Sequence, residues 1–360
     1  MEKSNTNNHQ NINQTDNFCC PVSLQNYSVI TLAHGSGGRL TYQLIQKIFG
    51  PAFINPELDT NHDSAILTLN NQKLAFTTDS YTVSPLFFPG GDIGKLAITG
   101  TVNDLAMAGA RPLWLSAGFI IEEGLPVDVL TQIVESMKHT AKQAGVNIVT
   151  GDTKVVDKGK GDGVFINTSG IGIIEHNQKT HPSQVKAGDV VIINGDIGRH
   201  GIAIMIKRSG LQLESAIQSD CALLNGLVFE LINSGVEIHC MRDLTRGGLA
   251  TALIEISRTS NTLMTIEEAN VPVIEDVKSA CELLGLDPLY VANEGRMIAI
   301  VPEKHCSKCL DIMKKHKLGL DPAVIGSVDN SSEARVLLRN SLGTTRILEM
   351  LTGEQLPRIC

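Results

Sequence analysis

The chain ends in the run LPRIC, so its last side chain is the thiol of Cys360. A thiolate is nucleophilic and carries acyl-type groups, and a chain end is mobile, so a thiol there can visit more than one site. Four aspartates stand at the ends of apolar segments: Asp79 in FTTDS, Asp104 in VNDLA, Asp152 in VTGDT and Asp243 in MRDLT. Asp63, in NHDSA, stands just before one. Carboxylates at segment ends converge easily, and Mg²⁺ is held by a few carboxylates together with phosphate oxygens. Any one such aspartate more often caps a helix or forms a turn. Five of them beside a glycine-rich loop favour a Mg–nucleotide site. That loop is HGSGG, His34 to Gly38, whose glycines permit φ > 0 and bare backbone N–H groups toward phosphate oxygens. It is neither a Walker loop nor GxGxxG, and a plain turn accounts for it equally well.

Two further charged residues sit at segment junctions: Lys154, just past Asp152, and Glu294 in ANEGRM. A solvated surface is the default place for both, and the junctions make them only modest site candidates. HCSKC, His305 to Cys309, offers two thiols where a structural zinc wants four ligands, and it falls on an expected amphipathic helix. Packing is its favoured role. Cys221, Cys240 and Cys281 read as core residues.

The elements that must position these residues follow from periodicity. SVITLAHGSGG reads as a short strand entering a glycine turn. RLTYQLIQKIFGPAF reads as a helix with Leu40, Leu44, Ile45 and Ile48 on one face. SAILTLN and KLAFTTDS read as strands joined at Asn70–Asn71, and IGKLAITGTVNDLAMAGA as a close-packed helix. PLWLSAGFIIEEG, VNIVTGDTKVV and GVFINTSGIGII read as strands, with VDVLTQIVESMKHTAKQAG an amphipathic helix among them. EHNQKTHPSQVKAGD breaks the pattern and marks a domain boundary. The second half begins with the strand VVIINGDIG, then helices over 201–209 and 220–234. MRDLTRGGLATALIEISRTS reads as loop and helix, RMIAIVP as a strand and EKHCSKCLDIMKKHKLG as a helix. AVIGSVDN and EARVLLRN close the pattern as edge-like strands. The expected division is a disordered polar extension over 1–27, domains over 28–181 and 182–350, and a mobile tail over 351–360.

Composition narrows the function. The net charge of −8 argues against a nucleic-acid-binding face, which needs concentrated positive charge. No apolar run reaches the roughly 18 residues of a membrane-spanning helix. The Asn-rich start lacks the apolar core of a signal peptide. Eight cysteines without such a signal point to free thiols in a reducing cytoplasm.

The stretches LAHGSGGRL, TTDSYTVSPLFFPGGDIGKLAITGTVNDLAMAGARP, TGDTKVV, GDIGRHGIAI, RDLTRGGLA, NEGRM and the closing PRIC carry a resemblance. Together the chain resembles the HypE family of hydrogenase maturation proteins. That family lies within the superfamily of aminoimidazole ribonucleotide synthetase, selenophosphate synthetase and thiamine monophosphate kinase. The resemblance implies an α+β, two-domain synthetase fold with an α/β sandwich-like C-terminal domain. It also implies a homodimer whose N-terminal domains pair into a β-barrel. It implies that Cys360 receives a carbamoyl group from the carbamoyltransferase HypF, that ATP drives its dehydration to a thiocyanate, and that the cyano group passes to iron on a HypC–HypD complex. By the same resemblance His34, Gly35, Gly37, Gly38, Lys95, Asn103 and Asp243 bind nucleotide, and Asp63, Asp79, Asp104 and Asp152 are candidates for Mg²⁺. Lys154 and Glu294 handle protons, and Arg358 pairs with phosphate or holds the tail. Which aspartates touch the metal stays open.

Two other readings compete. A selenophosphate synthetase-like enzyme would carry a Cys or selenocysteine with a nearby Lys in the glycine-rich segment, and HGSGGR has neither. A metallochaperone would use Cys306, Cys309 and Cys360.

Overall fold

The computed structural model describes residues 29–58, 62–209, 217–319, 321–331, 333–351 and 358–360. The N-terminal extension, Cys19 and Cys20, and most of the expected tail lie outside them. Two sheets organise the chain, one on each side of residues 175–188.

The first sheet has five strands. β1 (Ala65–Leu69) and β2 (Gln72–Tyr81) form a hairpin whose turn places Asn70 and Asn71 at positive φ, a conformation asparagine tolerates better than most residues. A short ribbon of β3 (Phe87–Phe88) and β4 (Gly91–Asp92) leads into helix α3 (Ile93–Met107). The chain order above begins earlier, with α1 (Arg39–Leu44) and α2 (Gly50–Phe53) joined by a π-helical turn at Ile45–Phe49. After α3 come β5 (Arg111–Glu122), α4 (Val127–Ala144), β6 (Asn147–Val156) and β7 (Val164–Ile174), and the sheet order is β1-β2-β7-β5-β6.

α3 is buried along nearly its whole surface, the mark of a helix enclosed by neighbours. Asp92 caps it, accepting from the backbone N–H groups of Gly94 and Lys95 at 2.8 and 3.1 Å. The helix lies on one face of the five-stranded sheet, with α4 beside it. Among the described residues, nothing covers the opposite face. Because side chains alternate along a strand, Ala75, Thr77, Asp79 and Tyr81 of β2 face α3, while Phe76, Thr78 and Ser80 face outward. Register extends this across the sheet: Phe76 pairs with Ile171, and Ile171 with Trp114, giving an exposed apolar row over three strands.

The second sheet is mixed. Its strands are β8 (Asp189–Ile193), β9 (Cys240–Asp243), β10 (Leu263–Glu267), β11 (Met297–Pro302), β12 (Ala323–Asp329), β13 (Arg335–Arg339) and β14 (Thr345–Ile347), in the order β14-β13-β10-β12-β8-β11-β9. Its helices are α5 (Arg199–Ser209), α6 (Asn225–Asn233), α7 (Gly248–Ser260), α8 (Glu275–Leu284) and α9 (Cys306–Lys315). α7 packs on one face, around Leu249, Leu253 and Ile256, and α6 with α9 packs on the other, around Leu227, Leu231 and Met313. The end of α3, at Ala106 and Met107, joins that last cluster, so one helix belongs to both cores.

Four expectations change. From Val29 on, where the description begins, VITLAHG forms no strand; it turns as a 3₁₀ segment, Leu32–Gly35, and Val29, Ile30 and Leu32 stay exposed. In the helix that follows, Leu40 is buried but Ile45 and Ile48 are not. β12 and β13 are interior strands, because a strand with one solvated face carries the same alternation whether or not it has two neighbours. The expected helix over 220–234 is shorter, and β9, β10 and α8 are elements that periodicity did not single out.

Candidate active site

Asp63, Asp104 and Asp243 meet between the two sheets, with one carboxylate oxygen of each within 4.8 Å of the others. Asp104 comes from α3, Asp243 from the end of β9, and Asp63 from just before β1. Asp104 Oδ2 accepts from Thr77 Oγ1 at 2.8 Å, and Asp63 Oδ1 lies 2.7 Å from the Arg242 guanidinium. Asp63 Oδ2 and Asp243 Oδ2 are buried and, among the described residues, have no hydrogen-bond partner. Burial pushes the pKa of Asp63 and Asp104 well above the usual carboxylate range, and that of Asp243 up to about 6. Converging hard oxygens, two of them orphaned, fit a hard divalent cation.

Asp79 stands on the same side of the sheet. Burial raises its pKa although the Arg246 guanidinium, 3.7 Å away, opposes the rise. Arg246 also reaches the sulfur of Cys360, at 3.9 Å. The pKa of the guanidinium is raised, first by the neighbouring Cys360 sulfur and then, against desolvation, by Asp79, Asp104 and Glu294, so it stays charged. Burial in turn pushes the Cys360 thiol up to about 11, with Arg246 opposing. Glu294 is buried, and its pKa rises well above the ordinary value through burial first, then the nearby Asp243, Asp220 and Asp79 carboxylates.

The backbone of the Glu294 loop is fixed on several sides. Asp220 accepts from the N–H groups of Glu294 and Gly295, at 3.3 and 3.2 Å. Asn293 receives Gly198 N–H at 2.7 Å and donates to the carbonyls of Leu244 and Val291. Asn103 donates to the carbonyls of Ala222 and Glu294, at 3.1 and 3.4 Å, and accepts from Leu224 N–H. These bonds make Asn103 a clamp on the loop.

Asp152 and Lys154 do not reach the acidic cluster. They pair with each other at 2.7 Å on β6, whose register with Gly118, and through it Asn167, puts them on the uncovered face. Of the two roles expected of Arg358, its contacts suit the holding of the tail: it donates to the Thr82 carbonyl at 3.1 and 3.0 Å, pairs with Asp162 and lies 5.8 Å from the Phe165 ring centre. Lys95 donates to the Gly90 carbonyl at 2.9 Å, near the start of its own helix. In the glycine loop, Gly37 has φ +82° and presses on Arg246, where a Cβ would sit 2.7 Å from that residue's own Cβ. A Cβ on Gly38 would sit 2.6 Å from the Leu351 carbonyl, which accepts from Arg39 N–H. Gly35 meets no such neighbour. His34 is buried and accepts from the Thr31 N–H at 3.1 Å. The loop therefore supports Arg246 and the approach to the tail rather than opening all its N–H groups to a ligand. Cys306 and Cys309 lie on α9, with Cys309 fully buried beside Met313, and among the described residues no cysteine joins a metal-ligating group.

Arg246, His200, Arg208 and Thr82 are residues that sequence reasoning passed over. Arg246 was in view, in RDLTRGGLA, but only its aspartate was taken. Nothing in a one-dimensional pattern links Thr82 or His200 to residues 278 and 159 positions away.

Two domains, one built on an open five-stranded sheet and one on a mixed seven-stranded sheet, enclosing an acidic cleft, define the AIR synthase-related class. Residues 61–174 match the family model of the AIR synthase related protein, N-terminal domain, and residues 186–339 that of its C-terminal domain. The chain is 49% identical to carbamoyl dehydratase HypE of Azotobacter vinelandii over 339 residues, 94% of this chain and 99% of that one. It superposes on a crystal structure of hydrogenase maturation protein HypE in complex with ATP with a TM-score of 0.78 and 48% identity, covering 92% of this chain and all of the other. A crystal structure of a HypE–HypF complex matches with a TM-score of 0.81 and 49% identity, over 86% of this chain and 99% of that one. The chain belongs to the HypE family of carbamoyl dehydratases. Among the described residues no helix is long and apolar enough to cross a membrane.

Proposed function

We propose that this chain uses ATP to dehydrate an S-carbamoyl group on Cys360 to a thiocyanate, which supplies cyanide for the iron of nickel–iron hydrogenase. The observation that carries it is the Cys360 sulfur, 3.9 Å from Arg246, inside the cleft that also holds Asp79, Glu294 and the acidic trio. Relatives are named carbamoyl dehydratases, one is solved with ATP and another with HypF.

An amide oxygen is a poor leaving group, and bound ATP supplies the phosphoryl group that makes it a good one. Asp63, Asp104 and Asp243 would hold Mg²⁺, which supplies positive charge against the phosphates. Arg246 places a fixed cation beside the sulfur and whatever it carries. The nitrogen must lose both protons to become a nitrile, one as the oxygen is phosphorylated and one as phosphate leaves. Glu294 is the residue to take one of them: a carboxyl whose pKa is raised is a stronger base once ionised.

The uncovered row Phe76, Ile171 and Trp114 supports a second copy closing the sheet into a barrel. Asp152 and Lys154 share that face, so any role of theirs in metal binding or proton handling depends on the dimer. HypF as carbamoyl donor, HypC–HypD as acceptor and a cytoplasmic location complete the proposal. The test is intact mass of the purified chain incubated with HypF and its substrates, then with Mg–ATP. Gain of one carbamoyl group on Cys360 followed by loss of one water is expected. Carbamoylation elsewhere, or none, overturns the proposal.

A further inference from the structure

The end of the chain is held mostly through its main-chain oxygens. Cys360 O accepts from Thr82 N–H at 2.9 Å and from Thr82 Oγ1 at 3.2 Å. Arg358 O accepts from Ser84 N–H and from Arg208 Nη2, at 3.3 and 2.8 Å. Between them, Ile359 O lies 2.6 Å from His200 Nε2, and the Ile359 side chain is buried in the same apolar cluster as Phe88 and Ile202. Of these donors His200 is fully buried and comes from α5, in the second domain, whereas Thr82 and Ser84 follow β2 in the first.

The tautomer of His200 follows from the Ile359 carbonyl, which can only accept, and Ser219 fits it. Ser219 Oγ accepts from Cys221 N–H at 3.0 Å and lies 2.8 Å from His200 Nδ1. The ring proton therefore sits on Nε2, aimed at the Ile359 carbonyl, and Nδ1 accepts from the Ser219 hydroxyl. Burial disfavours a charged ring. The edge of that ring also meets Phe88, with centroids 5.5 Å apart at 87°, so it cannot turn freely.

We propose that His200, oriented by Ser219, is a positioning residue that latches the chain end in the cleft and sets how often the Cys360 thiol is presented to Arg246 or released. The proposal deepens the carrier role given above to Cys360, and as far as the reaction is concerned it rests on that role. Release exposes the thiol to a carbamoyl donor; docking returns it to the cleft. Removing the donor leaves the Ile359 carbonyl unpaired where it is buried, which shifts docking by about 10- to 100-fold toward release.

The experiment is alkylation of Cys360 by iodoacetamide, followed site by site by peptide mass, in the full chain without ATP or partners. His200→Ala is expected to speed alkylation of Cys360 about 10- to 100-fold while buried Cys240 and Cys221 stay protected. His200→Gln, whose amide keeps a donor near the Nε2 position, should restore most of the protection. Ser219→Ala, a milder change, should give a smaller rise in the same direction and carries the test if His200→Ala does not fold. Unchanged alkylation in the folded variants, or an equal rise at Cys240 and Cys221, overturns the latch. Failure here leaves the carrier role standing. Absence of carbamoylation on the wild-type thiol would overturn the carrier role and leave the latch.

Discussion

The five-stranded sheet carries two acid–base pairs, one on each face, and they behave in opposite ways. On the covered face Asp79 stands 3.7 Å from Arg246, with its side chain 24% exposed, and its pKa goes up. On the open face Asp152 stands 2.7 Å from Lys154, with its side chain 71% exposed, and its pKa goes down because Lys154 hydrogen-bonds its charged form. The residue types nearly match; the surroundings do not. Where α3 and the second domain exclude water, desolvation outweighs a guanidinium, and several carboxylates crowd together with unsatisfied oxygens. Where solvent has access, the pair is an ordinary surface contact, worth little by itself. Chemistry that depends on perturbed groups belongs on the covered side.

The largest effect expected from that contrast is at the thiol. Cys360→Ala should abolish carbamoylation and cyanide formation while the melting temperature and ATP binding stay as in wild type. An adduct at wild-type level on another cysteine would move the carrier elsewhere. Next is Glu294→Gln, which should slow dehydration by about 10²–10⁴-fold and leave carbamoylation intact, so that pre-carbamoylated protein fails to lose water on addition of ATP. Conversion at the unmutated rate removes Glu294 from the mechanism.

The two faces can be set directly against each other by thermal melts with and without Mg–ATP. Asp79→Asn should lose much of the ligand-induced stabilisation, which at about 100 to 1,000 times Kd amounts to roughly 3–4 kcal/mol in wild type. Asp152→Asn, in monomeric protein, should keep it. Equal losses would erase the distinction between faces.

The smallest effect concerns alkaline pH. The docked Cys360 thiol has a pKa of about 11 against an ordinary 9.0, so docking favours the neutral thiol. Its contribution is complete below about pH 9 and is lost as pH rises toward about 11. Alkylation of Cys360 should keep climbing above about pH 9, where a free thiol levels off. A plateau near about pH 9 would mean that the docked sulfur is not desolvated.

Much of this was legible in the residues themselves. The strands β2, β5 and β7 and the helices α3 and α4 follow from their periods, and the acidic residues were recognised as a set. What could not be read was parity between strands. TGDTKVV declares itself a strand, yet whether Asp152 points inward depends on its register with β5, and a slip of one residue reverses the answer. Asp243 and Asp152 look alike in one dimension; β9 ends at the cleft and β6 runs along the open face. Arg246 and His200 lay inside recognised motifs but gain meaning only from Cys360, 114 and 160 positions further along the chain, counted from the residue numbers.

Asn103 has a consequence for how water is kept out. Its amide joins α3 to the backbone on both sides of the second domain's loops, at Ala222, Leu224 and Glu294, and Ser219 N–H donates across the same seam to the Pro89 carbonyl. A seam stitched this way is a weld, unlike the hinge of enzymes that clamp shut on their substrates. Delivery then calls for no parting of the two domains: the walls stay where they are, and only the end of the chain has to travel.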